Sequence, residues 1–452
     1  MYYKINNSEY NLKKILKNFS FLFSWSCLSH LANLVVIILA ARYFEPEQFG
    51  EFSIAQSIFL LIYSLSFHNA HIYLHRKLAT EFEKRKKDIP TVFFIRFYTS
   101  LLLFLILGFL LIFVNISTEF KVVILLMNLI ILIEPFSIFY SIFFIKQQFL
   151  KIWQIRICQI CIFSFLKIYS IIFYKNIIFL CLIYVFEHLF FAIIIIILFV
   201  KSGYKIDKFI VDKTYVLNVF KKIIIFPFLS FFLIVSMRVD TLMVGAYINI
   251  ETSGLYSVSS RLISTLLLVV SLFYAIIFPS LSVAFKKNNK LFIKILKDLI
   301  GISVIISLIT TLLIFIFGKF YLSIFGDNFL QINNCLRILS LNIFLCLIIN
   351  VWQYQNYVKG SYLIIAGFQA LVTILNIILN YYFIYFFGVE GAALATLLSA
   401  FLSFLVILLF FPEDISVIIQ SLSFFNVKNS AINIFNEILI KKNPEKKDKI
   451  KL

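Results

Sequence analysis

Apolar residues in this chain run in blocks of about 20 or more positions, separated by short polar gaps. A helix of that length crosses the ~30 Å hydrocarbon layer of a bilayer, and core helices of water-soluble proteins seldom run so far without a charge. The blocks fall at roughly 18–42, 50–75, 90–115, 121–145, 154–174, 176–200, 219–246, 254–285, 292–318, 330–358, 361–387 and 390–411. They predict helices and not barrel strands. The two-residue alternation of a barrel is absent, and backbone in hydrocarbon must satisfy its own hydrogen bonds. The predicted fold class is therefore an all-α polytopic membrane protein with about 12 transmembrane helices.

Composition agrees: of 452 residues, 62% are hydrophobic and 14% charged, as expected of a chain that is mostly lipid-facing helix. Lysine and arginine gather in every second gap. Lys4, Lys13, Lys14 and Lys17 precede the first block, Arg76 to Lys87 follow the second, and Lys146, Lys151 and Arg156 follow the fourth. The sixth gap holds Lys201 to Lys222, the eighth Lys286 to Lys297, and the tail ends in further lysines. The odd gaps hold little beyond Arg42, Lys121, Lys175 and Lys319. Basic loops stay on the cytoplasmic side, so both termini are predicted to be cytoplasmic. This topology signal accounts for most of the +19 net charge and removes the argument for nucleic-acid binding. The first block is too long for a signal-peptide core and is read as a retained span.

All six cysteines lie in or at the edges of predicted spans. Cys158 and Cys161 make a C-x-x-C on an apolar helix with no second pair and no neighbouring histidine, so they are read as small packing residues. Shifting the chain by 204 positions places Tyr43, Glu47, Gly50 and Ser53 on Tyr247, Glu251, Gly254 and Ser257, with Phe52 on Tyr256. Later blocks keep roughly the same step. Six blocks separate the copies, an even number, so both halves insert the same way round. The expected domains are two six-helix lobes, 1–205 and 206–411, related by a pseudo-two-fold axis along the membrane normal with a cavity between them. A basic cytoplasmic tail, 412–452, follows them.

LAARYFEPEQFGEFSIAQSI, Leu39 to Ile58, resembles the first-to-second-span hairpin of bacterial polysaccharide flippases. MRVDTLMVGAYINIETSGLYSVSSRL, Met237 to Leu262, resembles their seventh-to-eighth-span hairpin. ILNIILNYYFIYFFGVEGAALATLLS, Ile374 to Ser399, is similar to the eleventh-to-twelfth-span signature, although Phe387 stands where many relatives have proline. Together these resemble the O-antigen and capsule branch of the multidrug/oligosaccharidyl-lipid/polysaccharide exporter superfamily over about residues 15–411. The resemblance implies movement of an undecaprenyl-diphosphate-linked oligosaccharide from the cytoplasmic to the periplasmic leaflet of the bacterial inner membrane. It implies no enzyme chemistry and no cofactor. Its partners would be that lipid-linked substrate, membrane lipids, a coupling ion (proton or sodium) and polysaccharide assembly proteins. Unpaired sugar hydroxyls and a diphosphate are costly in hydrocarbon, so such a carrier needs a wet, cationic interior.

Ionisable groups within spans are the candidates for that interior. Asp240 and Arg261 flank a turn placed at Asn249 to Thr252 and should share one depth, about 15 Å from it. They pair and leave Arg238 for a phosphate, or the pair is only a structural bridge between helices. Arg96 faces Glu134 beside Pro135, or snorkels to the nearby cytoplasmic edge. Lys167 lies near the depth of Glu187 and His188, in an internal network or in a substrate or proton role. His30, His68 and His71 either titrate during transport or serve packing. Asn376 and Asn380 share a helix face and suit sugar hydroxyls or helix-to-helix bonds equally; Gln353, Gln355 and Asn356 make another polar end. Gly388, Gly391, Ala392, Ala393 and Ala395 predict close helix packing. No metal or nucleophile constellation is read. Two other functions compete with glycan flipping: a cation-coupled multidrug exporter, which usually carries an acid in span one where this chain has His30, and a polysaccharide polymerase, for which the odd loops are short.

Overall fold

The computed structural model describes residues 12–75, 77–78, 88–145, 148–202, 213–287 and 289–411. Within them the regular structure is helical, and the tail 412–452 and Lys4 lie outside the described residues. Nine of the described helices are long and apolar enough to cross a membrane, or ten if Pro46–Leu65 and His68–His75, bent by 41°, form one broken span. Two further features would bring the count to the expected twelve. Ile250–Lys287 is 38 residues long, and its sequence from Leu262 to Pro279 carries no charged residue. Tyr362–Phe410 runs 49 residues, about 73 Å at helical rise, more than two bilayer cores.

That last element is folded at Gly388, whose φ of 59° and ψ of −139° are open to glycine and strained for any other residue. A Cβ on Gly391 would sit 1.9 Å from the Phe383 carbonyl oxygen, so the chain doubles back with backbone against backbone. Ala392, Ala393 and Ala395 are fully buried behind it. The small-residue patch is thus a tight turn between two spans, and glycine replaces the helix stop that Phe387 cannot supply.

The first hairpins of the two copies keep the shift of 204 positions at their ends. One helix ends at Tyr43 and the next starts at Pro46; the later pair ends at Tyr247 and restarts at Ile250. Pro46 takes the first helical position because its missing N–H would be unpaired there anyway. Elsewhere side chains cap the starts: Ser117 accepts from the Phe120 amide at 3.1 Å, and Asn176 from Ile178 at 2.8 Å.

The described chain divides into two compact units, Met1–Ile234 and Val235–Leu452. The amphipathic helix Lys213–Ile223, which follows the expected boundary at 205/206, buries Val219 and Ile223 in the first unit's core, in one cluster with residues such as Phe67, Leu74 and Val92. Outward faces are apolar. Leu102, Leu105, Phe109, Ile112 and Phe113 are all exposed along one helix, as are Leu308, Leu312 and Ile316 on another. Such patches would aggregate in water and are the expected lipid surface of a membrane helix. Cys158 and Cys161 are exposed too, so they are surface positions and not the packing residues the sequence suggested.

Candidate functional site

Each unit holds a cluster of buried polar side chains that includes candidate residues, and the first unit also buries Asp88, which accepts from Tyr73 and Tyr215. In the first, the second span breaks after Leu65: the Ser66 amide folds back to the Tyr63 carbonyl and Phe67 adopts a left-handed φ of 57°. The fourth span also changes register. It is α-helical over Thr118–Ile133 and then tightens to a 3-10 helix over Glu134–Phe139, with Pro135, which supplies no amide to the ladder, in its first turn.

These two interruptions put Glu134 at the centre of a network. Its Oε1 lies 2.6 Å from His188 Nδ1, and its Oε2 accepts from the Tyr63 hydroxyl at 3.1 Å. Arg96, only 2% exposed, donates to the Glu134 backbone carbonyl at 3.1 Å and to Ser137 Oγ at 3.4 Å. Arg96 therefore turns inward, and its guanidinium binds the Glu134 carbonyl and the Ser137 hydroxyl of the 3-10 stretch instead of reaching the membrane edge. Lys167, 3% exposed, meets Glu187 at 2.5 Å and lies 3.5 Å from the Tyr184 ring centroid. The expected neighbourhood of Lys167, Glu187 and His188 is thus split: Lys167 takes Glu187, and His188 takes Glu134. Arg156, which the sequence placed in a loop, lies in the second turn of Phe149–Tyr169 with its guanidinium 3.4 Å from the Phe191 ring centroid.

In the second unit, Asp240 is 4% exposed and held by neutral donors from three other stretches of helix. Asn380 Nδ2 reaches Oδ1 at 2.9 Å; the Tyr256 hydroxyl and Thr396 Oγ1 reach Oδ2 at 3.1 and 2.5 Å. Asn376 joins by donating to Ser399 at 3.3 Å, and its side-chain and backbone oxygens accept from Asn380. The equal depth expected of Asp240 and Arg261 fails because the turn sits earlier, between Tyr247 and Ile250. Asp240 lies seven residues before Tyr247 and Arg261 eleven after Ile250, a difference of four residues or about 6 Å. Tyr256, six after Ile250, is the residue at the carboxylate's level. Arg261 is 8% exposed one to two turns deeper, and Arg238, on the Asp240 helix, is half-buried. Among the described residues, Arg238 has no hydrogen bond or ion pair.

Sequence reasoning missed Tyr63, Tyr256, Thr396 and Arg156 as members of these clusters. One signal was present: Asn380 and Thr396 stand eight residues either side of Gly388, at one depth across that turn. No group of three or more histidine, cysteine or acidic residues suited to a metal is found among the described residues.

Comparison with solved structures shows the same fold in transporters. The lipid II flippase MurJ, in an inward closed conformation, aligns with a TM-score of 0.66 at 19% identity over 92% of each chain. A multidrug resistance MATE family transporter of the MOP superfamily, inward-facing, aligns at 0.64 with 12% identity over 87% of this chain and 96% of that one. A mutant of the Vibrio cholerae MATE transporter VcmN aligns at 0.60 with 13% identity over 87% and 97%. At these identities the likeness establishes the fold. A search of curated proteins gives no match. The model of a family described as polysaccharide biosynthesis protein matches residues 15–285, more than half of the sequence. With that match and this fold, the chain belongs to the polysaccharide biosynthesis protein family, as a multi-pass membrane protein built like the MOP-superfamily transporters.

Proposed function

We propose that this protein is a flippase for an undecaprenyl-diphosphate-linked oligosaccharide, an O-antigen or capsule repeat unit. It works by alternating access, from the cytoplasmic to the periplasmic leaflet of the bacterial inner membrane, with both termini cytoplasmic. The observation that carries the reading is Arg238. A guanidinium inside an apolar helix costs about 3 kcal/mol when unpaired, yet Arg238 has no acidic or hydrogen-bonding partner among the described residues. Asp240, two positions on, does not offset it, because its carboxylate is satisfied by Asn380, Tyr256 and Thr396. That leaves positive charge with donors arranged for a two-pronged grip on phosphate.

The amides supply the sugar side. Gln353 donates to Gln369 at 3.3 Å, Gln369 to Ser236 at 3.0 Å, and the buried Asn380 Oδ1 keeps an acceptor without a donor. In this reading Arg238 and Arg261 take the diphosphate, while Asp240, Asn376 and Asn380 order the surface beneath it. Lys167 and Arg96, the other two cations expected to take part, are engaged with protein groups within the first unit. Replacing Arg238 by alanine is expected to stop appearance of the glycan at the cell surface while the protein remains in the membrane at wild-type level. Normal surface glycan in Arg238→Ala cells refutes the assignment. The MATE-like fold keeps drug export as the second reading, and efflux of a cationic dye from everted vesicles separates the two.

A further inference from the structure

We infer that the second unit carries a sugar-ring site: a pocket lined by Phe278, Tyr354, Tyr357 and Tyr362 that stacks one uncharged pyranose of the oligosaccharide. The inference rests on the flippase reading for the source of that sugar. The pocket itself stands on geometry within the second unit.

Its four residues come from three helices. Phe278 lies on Ile250–Lys287, and Tyr354 and Tyr357 lie near the end of Asn333–Lys359. Gly360, with a left-handed φ of 79°, ends that helix and lets Tyr362 open the next one beside them. The rings form a chain. Centroids are 6.0 Å apart for Phe278 and Tyr354, 6.2 Å for Tyr354 and Tyr357, and 6.1 Å for Tyr357 and Tyr362, at angles of 65°, 74° and 51°. Rings that only fill a core close on one another, whereas these line a cavity of about 240 Å³. Tyr274, one turn before Phe278, packs edge-on against Tyr354 at 5.5 Å; it is 2% exposed and its hydroxyl is hydrogen-bonded to Ser303. Tyr274 thus braces the pocket. Tyr357 and Tyr362 differ from it, because among the described residues their hydroxyls have no hydrogen-bond partner.

A pyranose has the matching two-part surface, with C–H groups on the faces of the ring and hydroxyls around its edge. Tyrosine meets the first with its ring and the second with its hydroxyl. Size and charge argue against other occupants. A drug-sized molecule takes a pocket of about 300–1,000 Å³, so this one suits a single ring. Organic cations are drawn to such rings, but the lining has no carboxylate and Lys359 stands two residues from Tyr357. An acyl chain would leave the free hydroxyls unpaired in hydrocarbon. Gln353, one turn before Tyr357 on the same helix, begins the amide row that runs through Gln369 to Ser236. In the proposed topology this is the cytoplasmic end of the unit, where a departing substrate is first met.

The test uses free methyl pyranosides of glucose, galactose and N-acetylglucosamine, with tetramethylammonium as the cationic rival. Full-length protein in lipid nanodiscs is irradiated at its aromatic protons, and transfer of saturation to each probe is read by NMR. At least one pyranoside is expected to receive saturation on its ring C–H protons ahead of its methoxy group. Loss of one ring, in Tyr357→Leu or in Tyr362→Ala, should weaken binding about fivefold, the equivalent of about 1 kcal/mol for one aromatic contact. Tyr362 is the half-exposed first residue of its helix, so Tyr362→Ala tests the pocket even where Tyr357→Leu fails to fold. Tyr357→Phe keeps the ring and should stay within about twofold of the wild type. The proposal is overturned if no pyranoside receives more saturation than with empty nanodiscs, if binding is unchanged in folded Tyr362→Ala, or if tetramethylammonium alone is saturated. Surface glycan in Arg238→Ala cells is a separate readout. Sugar binding together with normal glycan leaves the pocket standing and sinks the flippase reading; lost glycan without sugar binding does the reverse.

Discussion

Lys167→Met gives the sharpest test of whether a buried charge in this protein is structural. The ammonium is 3% exposed, 2.5 Å from Glu187 and 3.5 Å from the Tyr184 ring centroid. Removing it leaves the Glu187 carboxylate without its counter-charge among apolar side chains, at a cost of about 3 kcal/mol, and the lost ring contact adds about 1 kcal/mol. Lys167→Met should therefore lose about 4 kcal/mol. The double variant Lys167→Met/Glu187→Leu removes both charges and leaves nothing stranded. Gln159 still donates to the Glu187 backbone carbonyl, which the substitution keeps. The double variant should come within about 1 kcal/mol of the wild type, because replacing a whole buried pair by apolar groups is often neutral. Unfolding of the full-length protein in graded denaturing-detergent mixtures measures both, and surface glycan is scored in parallel. The reasoning is refuted if the single variant is within about 1 kcal/mol of the wild type, or if the double is as unstable as the single. A stable double variant that exports no glycan would return Lys167 to the substrate path.

Gly391→Ala is expected to cost at least ~3 kcal/mol and to lower membrane yield, since the new Cβ meets the Phe383 backbone and not a side chain that could swing away; Gly367→Ala, with open space around it, should be tolerated or stabilise by about 0.5–1 kcal/mol. Cys158 and Cys161, both exposed, should react with a lipid-soluble maleimide in intact membranes, whereas buried Cys181 and Cys335 should remain unmodified until the protein is denatured. Mass spectrometry of single-cysteine variants checks this directly.

Much of the fold was legible because membrane insertion writes two strong signals, block length and the placement of lysine and arginine. The two hairpins related by 204 positions were readable as a pair, and the helices before them end within one residue of the expected blocks, at Tyr43 and Tyr247, but the helices after them start four residues earlier than expected, at Pro46 and Ile250. Interruptions were harder. Pro135 marked an irregularity beside Glu134, though not its 3-10 form, and nothing between Ser66 and His68 marks a break, because a left-handed phenylalanine is set by its tertiary packing, here against Phe220. The sites were half legible. Asp240, Asn376 and Asn380 were picked for their polarity and do meet, yet a turn misplaced by about two residues moved Arg261 away from Asp240's level. Tyr256 and Thr396 carry no charge, so no rule about charges in membranes would single them out. The identity of a hydrogen-bond partner depends on helix rotation, which spacing alone constrains poorly.

The Asp240 carboxylate has a mechanical meaning beyond its chemistry. It is gripped from Tyr256 and from both arms of the hairpin folded at Gly388, through Asn380 and Thr396, while itself belonging to Ile225–Tyr247. One side chain thus rivets four helical rods at a single level of the bilayer. Sliding any rod past the others by a turn would strand an anion in oil, so these four rods have every reason to travel as a solid piece. Whatever bends during a transport cycle has to bend somewhere else.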